Sequence, residues 1–141
     1  MHLRKSRVLK KIKEGGCAFS FKMNVVDPRI AEIAAMSGID CIWIDMEHTH
    51  LSYRDVLTHI STCRAAGVSS LVRVPQNDLT ATKKVLEMGP DGILFPMVRS
   101  AKEVKELIHQ LVEEAKSRRR FRFGEFDSVS DDFDDNMGMD A

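Results

Sequence analysis

Gly38-Ile-Asp-Cys-Ile-Trp-Ile-Asp-Met-Glu-His48 is the stretch on which the fold turns. A glycine that closes a helical pattern is followed by a short apolar run, Cys41 to Asp45. That run breaks into Asp45-Met-Glu-His-Thr-His50 before a new helix opens at Ser52. Helix, glycine, strand, polar loop, helix is the order of a βα unit, in which a parallel strand feeds a crossover helix. The strand is almost solidly apolar rather than alternating, as a parallel strand covered on both faces should be.

The same grammar extends both ways. Upstream, a short strand at Cys17 to Phe21 precedes a helix announced by Asp27 as N-cap and Pro28 at its first position, with Ile30, Ile33 and Ala34 as its buried stripe and Gly38 past its end. Downstream, Ser52 with Asp55 forms an acidic capping box for a helix carrying Val56, Leu57, Ile60 and Cys63, stopped by Gly67. A third strand spans Ser70 to Val74, and its helix runs from Asn77 or Asp78 to Gly89. A fourth strand spans Gly92 to Met97, and Ser100 with Glu103 caps a helix bearing Val104, Leu107, Ile108, Leu111 and Val112. Asp40-Cys-Ile-Trp-Ile-Asp-Met46 echoes Asp91-Gly-Ile-Leu-Phe-Pro-Met97, so the βα unit repeats. The fold class is α/β with a parallel sheet.

Composition narrows the function. A chain of 141 residues, 43% apolar, has material for one globular core, and 21 basic against 21 acidic residues leave no global field to recruit nucleic acid or an anionic membrane. Apolar runs fall far short of the roughly 20 residues that span a bilayer, and Lys22 and Asn24 interrupt any signal-peptide core. A soluble, cytoplasmic protein with no nucleic-acid and no membrane partner is expected. Cys17, Cys41 and Cys63 are odd in number and widely spaced, which points to buried, reduced thiols rather than a disulfide framework or zinc site.

Ligands of parallel α/β proteins bind beyond the carboxyl ends of the strands, which directs attention to polar residues there. His48 can move a proton at neutral pH if a carboxylate orients it, and Glu87 is a candidate for that carboxylate. Arg73, the only charge in Leu71-Val-Arg-Val-Pro75, offers planar donors to a carboxylate or a developing enolate. The alternative is structural: Arg73 pairs with Asp45 across neighbouring strand ends, and His48 caps a loop. His48-x-His50 is a weak metal-ligand signal without a second cluster. No Gly-rich phosphate loop and no Gly-x-Ser-x-Gly elbow occurs.

Together Asp27-Pro-Arg-Ile-Ala-Glu-Ile-Ala34, Gly38 to His48, Leu71 to Pro75 and Gly92-Ile-Leu-Phe-Pro-Met-Val98 resemble the HpcH/HpaI aldolase and citrate lyase family, over Asn24 to about Leu107. The resemblance implies a TIM (β/α)8-barrel scaffold and a metal-dependent class II aldolase that cleaves 2-keto-4-hydroxy acids into pyruvate, or a related 2-keto acid, and an aldehyde. On that likeness His48 is the general base and Glu87 its acidic partner, where family members often carry aspartate. Arg73 binds pyruvate and stabilises the enolate, and Asp45 and Glu47 shape the network around the metal and its water. The resemblance also implies a divalent cation, magnesium, manganese or cobalt, that polarises the small 2-keto acid substrate. The family's metal-binding Glu and Asp come from later strands, and no counterpart is found in this chain.

Only about the first four βα units of such a barrel fit into the sequence, so half a barrel is expected over residues 1–117. That leaves open sheet edges, which self-association or a complementary half-barrel would cover. The abrupt compositional break favours a truncated or frame-shifted product as the explanation, and an inactive remnant or interaction module is the competing expectation for function. After Ser117 the chain reads Arg-Arg-Arg-Phe-Arg-Phe123, and residues 125–141 hold seven acidic and no basic residues. Residues 118–141 are accordingly expected as a charged, self-neutralising disordered tail rather than an RNA-binding segment.

Overall fold

A side-chain or glycine signal marks the helix boundaries of the first hundred residues. Ser6, Asp27, Ser52 and Asp78 each accept a backbone N–H of the first turn beyond them, and Ser52 with Asp55 forms a reciprocal capping box. Gly67 and Gly89 close two helices at φ of 73° and 74°, a left-handed conformation that a Cβ would strain. The computed structural model describes residues 6–123, with side chains for residues 6–113. The elements run α1 (Arg7–Lys13), β1 (Ser20–Met23), α2 (Pro28–Met36), β2 (Cys41–Asp45), α3 (Tyr53–Ala66), β3 (Ser69–Arg73), α4 (Leu79–Met88), β4 (Gly92–Leu94) and α5 (Ala101–Phe123). No helix among the described residues is long and apolar enough to cross a membrane.

All four strands are parallel and lie in the order β1-β2-β3-β4. A doubly wound sheet would reverse its order at a switch point, whereas strands laid down in strict sequence form an arc of a (β/α)8 barrel. The sheet is therefore half a barrel. Its register places Met23, Ile44, Val72 and Ile93 side by side. These residues join Ile42, Val74, Val56, Ile60 and Val85 in the core between the sheet and its helices.

Two aspartates set that register from the other end of the sheet. Asp40, just before β2, accepts the N–H of Phe19 at 2.8 Å and donates its own N–H to the Phe19 carbonyl at 3.0 Å. Asp91, just before β4, does the same with Ser70, at 2.8 and 3.0 Å. The internal echo in the sequence is thus a repeated clamp. Lys11 on α1 holds Asp40 at 2.8 Å, and Arg7 donates to the Gly67 carbonyl, so the basic first helix seals this end.

Several details depart from expectation. α1 has no counterpart in the sequence pattern. The first strand lies at Ser20–Met23 rather than Cys17 to Phe21, because its ladder begins only where Cys41 is available as partner and Phe19 is taken by Asp40. The fourth strand stops at Leu94 rather than Met97, since Pro96 has no N–H for a ladder and Met97 has a φ of 56°. Ala31 and Ala34 form the buried side of α2, while Ile33 is 60% exposed, because Met23, Ile42 and Ile44 already fill the core below and leave room for small side chains. In α3, Leu57 is exposed and His59 is buried in its place. Cys41 and Cys63 are buried thiols, and Cys17 is exposed.

The chain divides into two compact units, Met1–Ser100 and a second that starts at Ala101 with α5. α5 continues to Phe123, six residues past the expected end of order at Ser117. Arginine is a good helix former and basic residues suit a helix C-terminus, so loss of the apolar stripe does not end the backbone helix. The rest of the expected tail, residues 124–141, lies outside the described residues.

His59 ties α3 to the loop after β1. Its Nε2 lies 3.0 Å from the Val25 carbonyl and so carries the proton, while Nδ1 is buried without a hydrogen-bond partner. Burial pushes its pKa below the ordinary 6.5, against the Val25 bond and the charges of Asp55 and Asp27. The native ring stays neutral while the unfolded chain takes up a proton, so stability falls as pH drops below about 6.5. Urea midpoints measured from pH 7.5 to 5 should decline, and His59→Gln should flatten that decline. Ile44→Ala, at a fully buried position in the central strand, should cost about 2–5 kcal/mol in the same unfolding experiment.

Candidate active site

Because side chains alternate along a strand, the residues between the core positions face the other side of the sheet. Lys22 on β1 stands opposite Trp43 on β2, and Asp45 at the end of β2 stands opposite Arg73 at the end of β3. One cation, one aromatic ring and one ion pair are therefore brought together by register alone.

Asp45 is the hub. Its side chain has no solvent exposure, yet every oxygen is engaged. Arg73 donates from Nε to Oδ1 at 2.9 Å and from its terminal nitrogen to Oδ2. Lys22 Nζ lies 2.9 Å from Oδ2, and the backbone N–H groups of Glu47 and His48 donate to Oδ1 at 3.0 and 3.3 Å. Burial by itself pushes this carboxyl up, but the bonds from Arg73, Lys22, His48 and Glu47 together outweigh it and hold the group well below the usual carboxylate range. Arg73 is held correspondingly high, first by its hydrogen bond to Asp45. Thr49 Oγ1 donates to the Asp45 carbonyl and closes the loop that carries Glu47 and His48.

The next residue layer is built on Glu47. Its Oε2 lies 3.3 Å from a terminal nitrogen of Arg73 and 3.4 Å from Nε2 of His48. The Glu47 and Arg73 side chains are each 14% exposed, whereas His48 is 66% exposed. An imidazole open to solvent and a guanidinium locked in the sheet thus meet at one carboxylate oxygen. Lys22 Nζ and the Arg73 guanidinium also lie 5.1 and 4.9 Å from the Trp43 ring, as cation–π contacts. The Trp43 Nε1–H is buried without a hydrogen-bond partner.

Glu87 does not join this group. It sits on the exposed side of the last turn of α4, next to Gly89, and so at the end of the sheet where β4 begins. Helices of βα units run antiparallel to the strands, which carries the end of α4 away from the carboxyl end of β2. The carboxylate beside His48 is Glu47 instead. His50 is exposed. Among the described residues no group of three or more His, Cys, Asp or Glu side chains could hold a metal ion. Glu47 and His48 alone are too few donors, and Asp45 is saturated, so these residues do not form a cation site.

The sequence pattern of the HpcH/HpaI aldolase/citrate lyase family matches residues 22–135, most of the chain. The chain belongs to the HpcH/HpaI aldolase/citrate lyase family. It is 28% identical over 110 residues to a hydroxypyruvate/pyruvate aldolase of Roseobacter denitrificans, covering 78% of this chain and 43% of that one. It is 32% identical over 98 residues to a 4-hydroxy-2-oxovalerate aldolase of Novosphingobium aromaticivorans, covering 69% and 37%. The crystal structure of an HpcH/HpaI aldolase from Desulfitobacterium hafniense superposes with a TM-score of 0.67 at 32% identity, over 74% of this chain and 40% of that one. The chain thus spans about two fifths of the length of these HpcH/HpaI relatives, in keeping with a half barrel.

Within this family member, Lys22 and Trp43 stand beside Asp45 and Arg73, a placement that motif reading passes over. Lys22 carries the same signal as Arg73, a lone charge in a strand, once β1 is placed at Ser20–Met23. A cavity of about 230 Å3 bordered by Arg7, Gly38, Asp40 and Gly67 lies at the opposite end of the sheet, among helix C-termini, and belongs to packing rather than to this site. Asp45→Asn should destabilise the protein by about 3–5 kcal/mol at pH 7, because two cations lose a buried counter-charge. A carboxyl with a lowered native pKa contributes stability above its ordinary 3.8 that is lost as pH falls through the native value. The wild type should therefore lose stability further below about pH 4, and Asp45→Asn should lose less over the same window, keeping only the part owed to Asp27, Asp40 and Asp55, whose native values are also lowered, as read from urea midpoints.

Proposed function

We propose that this site performs carbon–carbon lyase chemistry, cleaving a 2-keto-4-hydroxy acid into pyruvate, or a related 2-keto acid, and an aldehyde. The observation that carries the reading is the meeting of His48 and Arg73 on the same Glu47 oxygen at the carboxyl ends of adjacent strands. The names of the relatives, aldolases of 2-keto acids, support it.

His48, exposed and oriented by Glu47, takes the proton of the C4 hydroxyl, directly or through a water. The electrons of that O–H bond form the aldehyde carbonyl as the C3–C4 bond breaks. The C3–C4 pair becomes the enolate of the 2-keto acid, its charge on the C2 oxygen facing the Arg73 guanidinium. The enolate then takes a proton at C3 and leaves as the 2-keto acid. Because Arg73 is fixed by Asp45, its donors need no reorganisation as the charge develops.

A divalent cation, magnesium, manganese or cobalt, belongs to the proposal as a component of the assay. The described residues do not supply its ligands, so self-association or a complementary half-barrel would bring the missing carboxylates. Purified chain with manganese and a 4-hydroxy-2-keto acid should release pyruvate, detected by coupling to lactate dehydrogenase. His48→Ala should lower that rate about 100-fold or more. Absence of turnover with every divalent ion tried would reject the aldolase reading in favour of an inactive member of the family.

A further inference from the structure

We infer that Lys22 is the residue that binds the C1 carboxylate of the 2-keto acid, leaving Arg73 to the neighbouring keto oxygen. The inference rests on the aldolase reading for the identity of the ligand, and on the geometry of the sheet for everything else.

Arg73 is already largely consumed. The edge formed by Nε and one terminal nitrogen grips both oxygens of Asp45, and the other terminal nitrogen faces Glu47. With 14% of its side chain exposed, Arg73 presents little open donor surface to a ligand. Lys22 differs on both counts. Its side chain is 37% exposed, and its ammonium has three N–H donors against one ion pair, to Asp45 Oδ2, among the described residues.

The spacing also fits. Lys22 Nζ and a terminal nitrogen of Arg73 contact the same atom, Asp45 Oδ2. Two donors that share one oxygen lie close enough to hold the oxygens of two adjacent carbons, which is how the carboxylate and keto group of a 2-keto acid are arranged. Charge points the same way. Lys22 and Arg73 balance Asp45 and Glu47, so an incoming anion meets a neutral cluster, whereas without Lys22 it would meet net negative charge.

Trp43 provides the readout. It is the single tryptophan of the chain, and Lys22 Nζ lies 5.1 Å from its ring. Titration of the wild-type chain with sodium pyruvate at constant ionic strength should give a saturable change in Trp43 emission. Lys22→Arg should retain it. Lys22→Gln still has a donor for Asp45 but lacks the charge, and should raise the half-saturating concentration about tenfold or more. Lys22→Met should do the same, with far-ultraviolet circular dichroism to check that it folds. An unchanged half-saturation in Lys22→Gln, or no saturable response in the wild type, would overturn the assignment.

Turnover assays separate the two readings. Lys22-dependent pyruvate binding without turnover would sink the aldolase reading and leave the assignment standing. Turnover with a KM that Lys22→Gln does not change would sink the assignment and leave the aldolase standing.

Discussion

A carboxylate sealed from water at the end of the central strand is costly unless each lone pair is met, and Asp45 meets that condition with two cations and two backbone N–H groups. The rest of the site depends on this. Arg73 takes its orientation from Asp45, and the N–H bonds from Glu47 and His48 bend the chain so that those two side chains stand above the strand ends. Lys22 is drawn across from β1 to the same oxygen. Three strands and a loop are thus joined at one side chain, and an imidazole, a guanidinium and an ammonium come to stand around two carboxylates.

The layout of the sheet was legible because its signals are local. Asp27 with Pro28, the Ser52 box and the glycines at 67 and 89 act within one helical turn, and solid apolar runs identify buried parallel strands whatever the partner. What escaped depended on contacts distant in sequence. The limits of β1 are set by where β2 starts and by the hold of Asp40 on Phe19, neither of which is visible in Cys17 to Phe21 itself. The inward turn of Ala31 in place of Ile33 likewise reflects what already fills the core below α2.

The site shows the same division. Asp45, Glu47, His48 and Arg73 were readable because they end strands or follow them within three residues, where a parallel sheet presents its polar ends. The pairing of Arg73 with Asp45 across neighbouring strands is the arrangement present, and it turns the other terminal nitrogen toward Glu47. Glu87 lies in the last turn of α4, as its distance from Gly89 indicates, and the carboxylate beside His48 is that of the next residue in sequence, Glu47. Lys22 belongs to the group only through the register of β1 on β2, which sets it opposite Trp43 and is not visible in the local sequence.

The paired aspartates at the far end of the sheet have an effect beyond their own surroundings. Side chains in a strand alternate faces, so slippage of β1 against β2 by a single residue would present Met23 where Lys22 now stands and drive the lysine into the apolar layer under α2. Asp40 excludes that slip by gripping Phe19 through both main-chain groups, and Asp91 does the same between β3 and β4. The chemistry displayed at one rim of this half barrel is therefore phased by an anchor at the opposite rim. Damage to that anchor would be felt first at Lys22 and Trp43, whose facing depends on the register of β1 on β2.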